Sequence, residues 1–178
     1  MNDDENTSGL SAMRNGPQSV GESVRISSMR ESRQAIDQIM SSAQKLIRVF
    51  ERDLSDPGYK DPTRIQLLET FLLKSHHNRI QIVLHDTQNL DRDCARLIAL
   101  FRRHPNAFSI HHTIDAAKQA ADSLVIADSH SAWHRLHHDH PHAVYIKGEN
   151  ANVTQLVQRF NEIWESSLLA VSATTVGL

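Results

Sequence analysis

"NRIQIVLHD", residues 78–86, is the stretch on which the fold turns. Ile80, Ile82 and Leu84 alternate as the side chains of one strand face do, and Val83 adds an apolar side chain to the other face. A strand apolar on both sides suits a sheet covered on both sides. The flanking segments supply covers. From Pro62, well suited to a first helical turn, "TRIQLLETFLLKS" sets Ile65, Leu68, Phe71 and Leu72 at helical spacing. On the other side, "NLDRDCARLIALFRRH" puts Leu90, Cys94, Leu97, Ile98 and Phe101 in one helical register. Arg102, Arg103 and His104 lie in its last turn, where they oppose the helix dipole, and Pro105 and Asn106 end it.

Further out the alternation continues. "SSMRESRQAIDQIMSSA" carries a capping box, Ser28 with Glu31, ahead of the stripe Ile36, Ile39, Met40 and Ala43. "KLIRVF" then reads as a strand. Toward the C-terminus come "AFSIHH" as a short strand, "DAAKQAAD" as a helical turn or loop, and "SLVIAD" as a strand with "SAWHRLH" as its hairpin partner. "HAVYIKG" is the final expected strand. "NVTQLVQRFNEIWESS" closes the pattern as a helix with Val153, Leu156, Val157, Phe160, Ile163 and Trp164 on one face. The expected fold is α/β, a mixed, largely parallel sheet with helices on both faces. Residues 1–21 read as a disordered leader without periodicity, 22–167 as the α/β domain and 168–178 as a flexible tail.

Composition narrows the classes. The single cysteine, Cys94, excludes an intrachain disulfide. No run approaches the ~18 apolar residues of a membrane span, so a cytoplasmic protein with no membrane partner is expected. The 6 glycines include no G-x-G-x-x-G and no G-K-[ST], which removes the common nucleotide sites and leaves no cofactor implied. A formal charge of −2, from 19 basic and 21 acidic residues, argues against nucleic acid as the partner. Protonating all 12 histidines would take that charge from −2 to +10.

The order "SRQAIDQIMSSAQKLIRVFERDL", "NRIQIVLHD", "SLVIAD", "FNEIWESS" resembles one half of the phospholipase D superfamily, and more particularly an uncharacterised bacterial domain of that fold. The closing Phe160, Trp164 and Ser167 are similar to the family's F-x-x-x-W-x-x-S ending. The resemblance implies a phospholipase D-like half. In the family, H-x-K-x-x-x-x-D supplies a histidine that attacks phosphorus and a lysine that holds phosphate oxygens, side by side on one strand face. Aligned on Asp128, the histidine position is Ala121 and the lysine position is Ser123, and H-x-K occurs nowhere in the chain. The resemblance therefore implies a scaffold with a degenerate site, marked by the vestigial positions Ala121, Ser123 and Asp128. A single half also has reason to homodimerise.

The stretch "ADSHSAWHRLHHDHPH", residues 127–142, holds six of the 12 histidines. If it is extended, His138, His140 and His142 share a face and are the candidate metal ligands, with Asp139 or Asp128 as oxygen donors. The bland alternative is a solvent-facing loop in which the six imidazoles do not converge, and that is the expectation. His85 and Asp86, at the C-terminal end of their strand, mark a candidate pocket, unless Asp86 caps the following helix. Trp164 and Cys94 lie on apolar helix faces and are expected to be core. The reading is a non-enzymatic binding or interaction module, a homodimer that also has a protein as candidate partner. The alternative is a histidine-based metal-dependent hydrolase or a phosphate-binding protein using a non-family site.

Overall fold

The computed structural model describes residues 22–148 and 151–171. Among the described residues, five α-helices, α1 (Met29–Ser42), α2 (Pro62–Lys74), α3 (Leu90–Asp93), α4 (Ala95–Arg103) and α5 (Ala151–Glu165), surround one sheet. Its strands are β1 (Glu22–Ile26), β2 (Leu46–Glu51), β3 (Arg79–Leu84), β4 (Phe108–Thr113), β5 (Ser123–Ala127), β6 (Ser131–Arg135), β7 (Ala143–Lys147) and β8 (Ser167–Leu169). They lie in the order β1-β7-β6-β5-β2-β3-β4-β8. The expected leader, 1–21, lies outside the described residues.

The helix–strand alternation is present, but the sheet is not largely parallel. Among the described residues, only β2 with β3 and β3 with β4 run parallel; every other pairing is antiparallel. The reason lies in the connections. A parallel pair needs a crossover, and only α2 and the α3–α4 segment provide one. From β5 onward the links to β6 and β7 are short, and each reverses the chain.

Apolar parity sorts the strands into two cores. Ile47, Val49, Ile80, Ile82 and Val125 face α1, α2 and α4, where Ile39, Leu68 and Leu97 meet them. Phe50, Val83, Leu124 and Ile126 face Val153, Phe160 and Ile163 of α5 on the opposite side. The capping box forms as read: Ser28 accepts from Glu31 N–H, and the Glu31 carboxylate accepts from Ser28 N–H. Asp61 caps α2 by accepting from Thr63 N–H, with Pro62 behind it.

Three elements differ from the pattern. The helix expected from Asn89 to His104 is broken at Cys94, whose φ of −125° and ψ of 40° are not helical, into α3 and α4. β1 has four exposed residues of five and carries no periodic signal; its pairing with β7 defines it. β8 extends the sheet past the expected domain end at Ser167 to Leu169 by pairing with β4.

Candidate functional site

Along β2, Ile47 and Val49 point to the α1 face, and Glu51 follows in phase, so a carboxylate ends an apolar row. On the neighbouring strand β5, Ser123 has the parity of Val125 and Ala127. On β6, Arg135 has the parity of Trp133 and is the cross-strand partner of Ser123. Adjacent strands thus bring the three side chains together on one face. The Arg135 Nη2 donates to Glu51 Oε2 at 3.1 Å and to Ser123 Oγ at 3.3 Å. The two charged side chains are 11% and 7% exposed. Burial pushes the Glu51 carboxyl up to about 7, although the Arg135 guanidinium beside it pulls the other way. The guanidinium lies 5.2 Å over the Trp133 ring, and its buried Nε has no hydrogen-bond partner among the described residues.

A pocket of about 520 Å³ opens over this pair. Its walls include Arg33, ion-paired to Asp56 at 3.2 Å, and Arg52, paired to Asp139 at 3.5 Å. His138, His140 and Pro141 complete one side. A sequence signal for the floor existed, namely charged residues in phase with apolar strand rows at positions 51 and 135. Sequence reasoning passed over both.

The vestigial positions border the same place. The Ala121 carbonyl accepts two hydrogen bonds at 2.9 Å, one from His138 N–H and one from the His138 Nδ1–H. A carbonyl can only accept, so His138 carries its proton on Nδ1 when neutral, and its Nε2 has a free lone pair. An imidazole therefore flanks Ala121 and a guanidinium flanks Ser123, both supplied from or just beyond β6. Asp128 does something else. Its carboxylate accepts from the backbone N–H groups of Gln44, Lys45 and Leu46 at 2.9, 2.8 and 2.8 Å. Its own N–H donates to the Leu46 carbonyl at 2.8 Å, and Arg48 donates to its carbonyl at 2.7 Å. With φ at 54°, Asp128 is a left-handed corner that clamps the start of β2.

The histidines of the 127–142 stretch separate. His130 lies 3.9 Å from Asp128. His134 points to the α5 side, 3.5 Å from Asp122, which Arg159 of α5 also binds at 3.1 Å. Burial would raise the Asp122 carboxyl, but its bonds to His134 and Arg159 outweigh that and hold it at about 2. His142 is exposed and outside any group of potential ligands among the described residues. Among the described residues the six histidines do not converge on one point, but His137 and His138 come together with Asp139. The set His138, His140 and His142 fails as a shared face because the segment turns: His140 N–H donates to the His137 carbonyl at 3.0 Å. The turn folds neighbouring residues together instead.

His85 is occupied. Its Nε2–H donates to the Ala120 carbonyl at 2.7 Å and its Nδ1 meets the Thr113 hydroxyl at 2.8 Å, with Phe50 edge-on to the ring. Asp86 accepts from Gln88 N–H at 2.9 Å in the turn leading to α3. These two residues brace a corner and do not border the large pocket. Trp133 and Cys94 are buried, and Trp164 is half-buried with its ring stacked 3.8 Å from His111.

A family model described as "Domain of unknown function (DUF7931)" matches residues 28–172. No curated protein matches the chain. Solved structures do. TrmBL2, an archaeal chromatin protein whose structure is described as showing a novel mode of DNA binding, is similar with a TM-score of 0.62 at 15% identity, over 89% of this chain. The chain spans only 57% of TrmBL2. Nuc from Salmonella typhimurium, a phospholipase D family member, matches with a TM-score of 0.58 at 15% identity, over 85% of this chain and 100% of Nuc. NucT from Helicobacter pylori matches at 0.56 and 11% identity, over 84% and 99%. At these identities the likeness is one of fold: an α/β sheet arranged as in phospholipase D family members.

Proposed function

The chain belongs to the family described as Domain of unknown function (DUF7931), and from that premise we propose that it is a non-catalytic binding module. In this reading it is a phospholipase D-like half with a degenerate site. Its pocket over Glu51 and Arg135 holds a small ligand bearing a compact anionic group, with phosphate the best chemical match.

The observation that carries the reading is the Arg135 guanidinium at Ser123, the position where the resemblance puts a lysine. A cation remains at that point of the scaffold while Ala121 offers nothing that can attack. Arginine presents a planar fork suited to phosphate or carboxylate oxygens, and here one of its buried N–H groups is unpaired. The remaining wall charges nearly balance, with Arg33 and Arg52 facing Asp53, Asp56 and Asp139. With one more carboxylate than guanidinium, that wall disfavours an extended polyanion, so nucleic acid is not the proposed ligand. No described helix is long and apolar enough to cross a membrane.

The test is calorimetric titration with inorganic phosphate and with a phosphomonoester. Binding is expected for the wild type, with a loss of at least tenfold in Arg135→Lys, because lysine cannot reproduce the fork. Undiminished binding in that variant, or none in the wild type, refutes the pocket assignment. A second reading, a histidine-based hydrolase, draws on the His138 ring beside Ala121. Hydrolysis of a bis-aryl phosphodiester that disappears in His138→Ala would establish it in place of the binding module. A homodimer belongs to the proposal too: Leu136, 76% exposed, and Met29, 37% exposed, are apolar surface near the pocket that a second copy would cover.

A further inference from the structure

We propose that His137, His138 and Asp139, the last two of which also line the pocket over Arg135, form a binding site for one divalent transition-metal ion of the zinc class. One ligand atom from each residue lies within 4.8 Å of the others. The Asp139 carboxylate is 3.7 Å from His137 Nδ1 and 3.6 Å from His138 Nε2. Ligands at ~2.0–2.1 Å from a tetrahedral zinc stand roughly 3.3 Å apart. The observed spacing therefore needs closure of tenths of an ångström to about 1.5 Å, within reach of small side-chain rotations.

Proximity of exposed polar groups is common, and the second observation is what singles out this cluster. In the neutral imidazoles, the hydrogen bonds put a lone pair on each facing nitrogen. His138 commits its proton on Nδ1 to the Ala121 carbonyl, leaving the Nε2 lone pair toward Asp139. His137 Nδ1 accepts from the Asp139 backbone N–H at 3.3 Å, which places its proton on Nε2; a metal takes this lone pair by displacing that long bond. A ligating imidazole whose other nitrogen is anchored on a carbonyl is the usual outer arrangement of protein zinc sites. Two neutral imidazoles and one carboxylate select zinc, cobalt, nickel or copper over magnesium and calcium, which require oxygen-rich sets. His140, whose ring is 5.3 Å from that of His137, lies outside the cluster, which leaves a fourth position to water. The exposed Asp139 and His137 leave the site open to solution, and Arg52, 3.5 Å from Asp139, is the competing cation.

The experiment is calorimetric titration of the chelator-stripped full chain with zinc chloride at neutral pH. One equivalent is expected. His138→Ala and Asp139→Asn should each weaken binding by at least the ~10–100-fold that loss of even an outer-shell partner costs. Arg52→Ala should strengthen it, because Asp139 is then freed. His76→Ala/His77→Ala removes another close imidazole pair, 3.8 Å apart, and should change nothing. Asp139→Asn preserves shape, so its result stands even if His138→Ala loosens the turn, which circular dichroism would reveal. Cobalt loading provides a second readout, its visible bands expected to collapse in Asp139→Asn. Absence of stoichiometric zinc binding, undiminished binding in Asp139→Asn, or loss on removing His76 and His77 would each overturn the assignment.

Discussion

Replacing Glu51 by Gln tests the floor of the pocket through stability. Glu51 is 5% exposed, and burial, opposed by Arg135, raises its carboxyl from 4.5 to about 7. A group whose folded value is raised binds more protons in the native state than in the unfolded one across that interval. Stability must then fall as pH rises from about 4.5 to about 7 and stay lower above it. At ~1.36 kcal/mol per pH unit, the rise amounts to about 3 kcal/mol. Glutamine mimics the protonated carboxyl and cannot ionise. Urea unfolding followed by circular dichroism at pH 5 and pH 8 should find the two proteins similar at pH 5. At pH 8 Glu51→Gln should be more stable by about 3 kcal/mol, or roughly 6–12 °C in Tm for a chain of this size. Taking the difference between the two proteins cancels the other titrating groups, the 12 histidines included. Parallel profiles between pH 5 and 8, within about 0.5 kcal/mol, would refute the reasoning that Glu51 is a buried carboxyl only partly compensated by Arg135.

Asp128→Ala should destabilise by about 3 kcal/mol in the same assay, because three backbone N–H groups lose a charged acceptor. Asp128→Asn, which tolerates the left-handed φ and keeps one oxygen, should lose about half as much. Cys94 is 2% exposed and burial raises its thiol, so it should react with a thiol reagent only on unfolding; rapid modification of native protein would contradict its burial. Light scattering at micromolar concentration should report about twice the 20.1 kDa chain mass, and Leu136→Glu should return a monomer; a monomeric wild type removes the dimer from the proposal.

The sequence by itself determined the central elements. The both-sided apolar run at Ile80–Leu84, the stripes of α1, α2 and α5, the cap at Ser28 and the helix start at Pro62 are local signals, because each depends on the period of one element or on one turn. Loss of H-x-K was equally legible, since it is a matter of residue identity. Sheet direction was not, because it depends on how a connection crosses the sheet, and β5 turned back antiparallel on β2. β1 and β8 had no pattern of their own and exist through their partners. The site was decided by tertiary structure. Glu51 and Arg135 are 84 residues apart and meet because β2, β5 and β6 are neighbours in register. His137 and His138 meet Asp139 because the chain turns where an extended segment would have spread its histidines along one face. Spacing along a sequence assigns faces only once the backbone conformation is known, and here a turn replaced the strand that the spacing assumed.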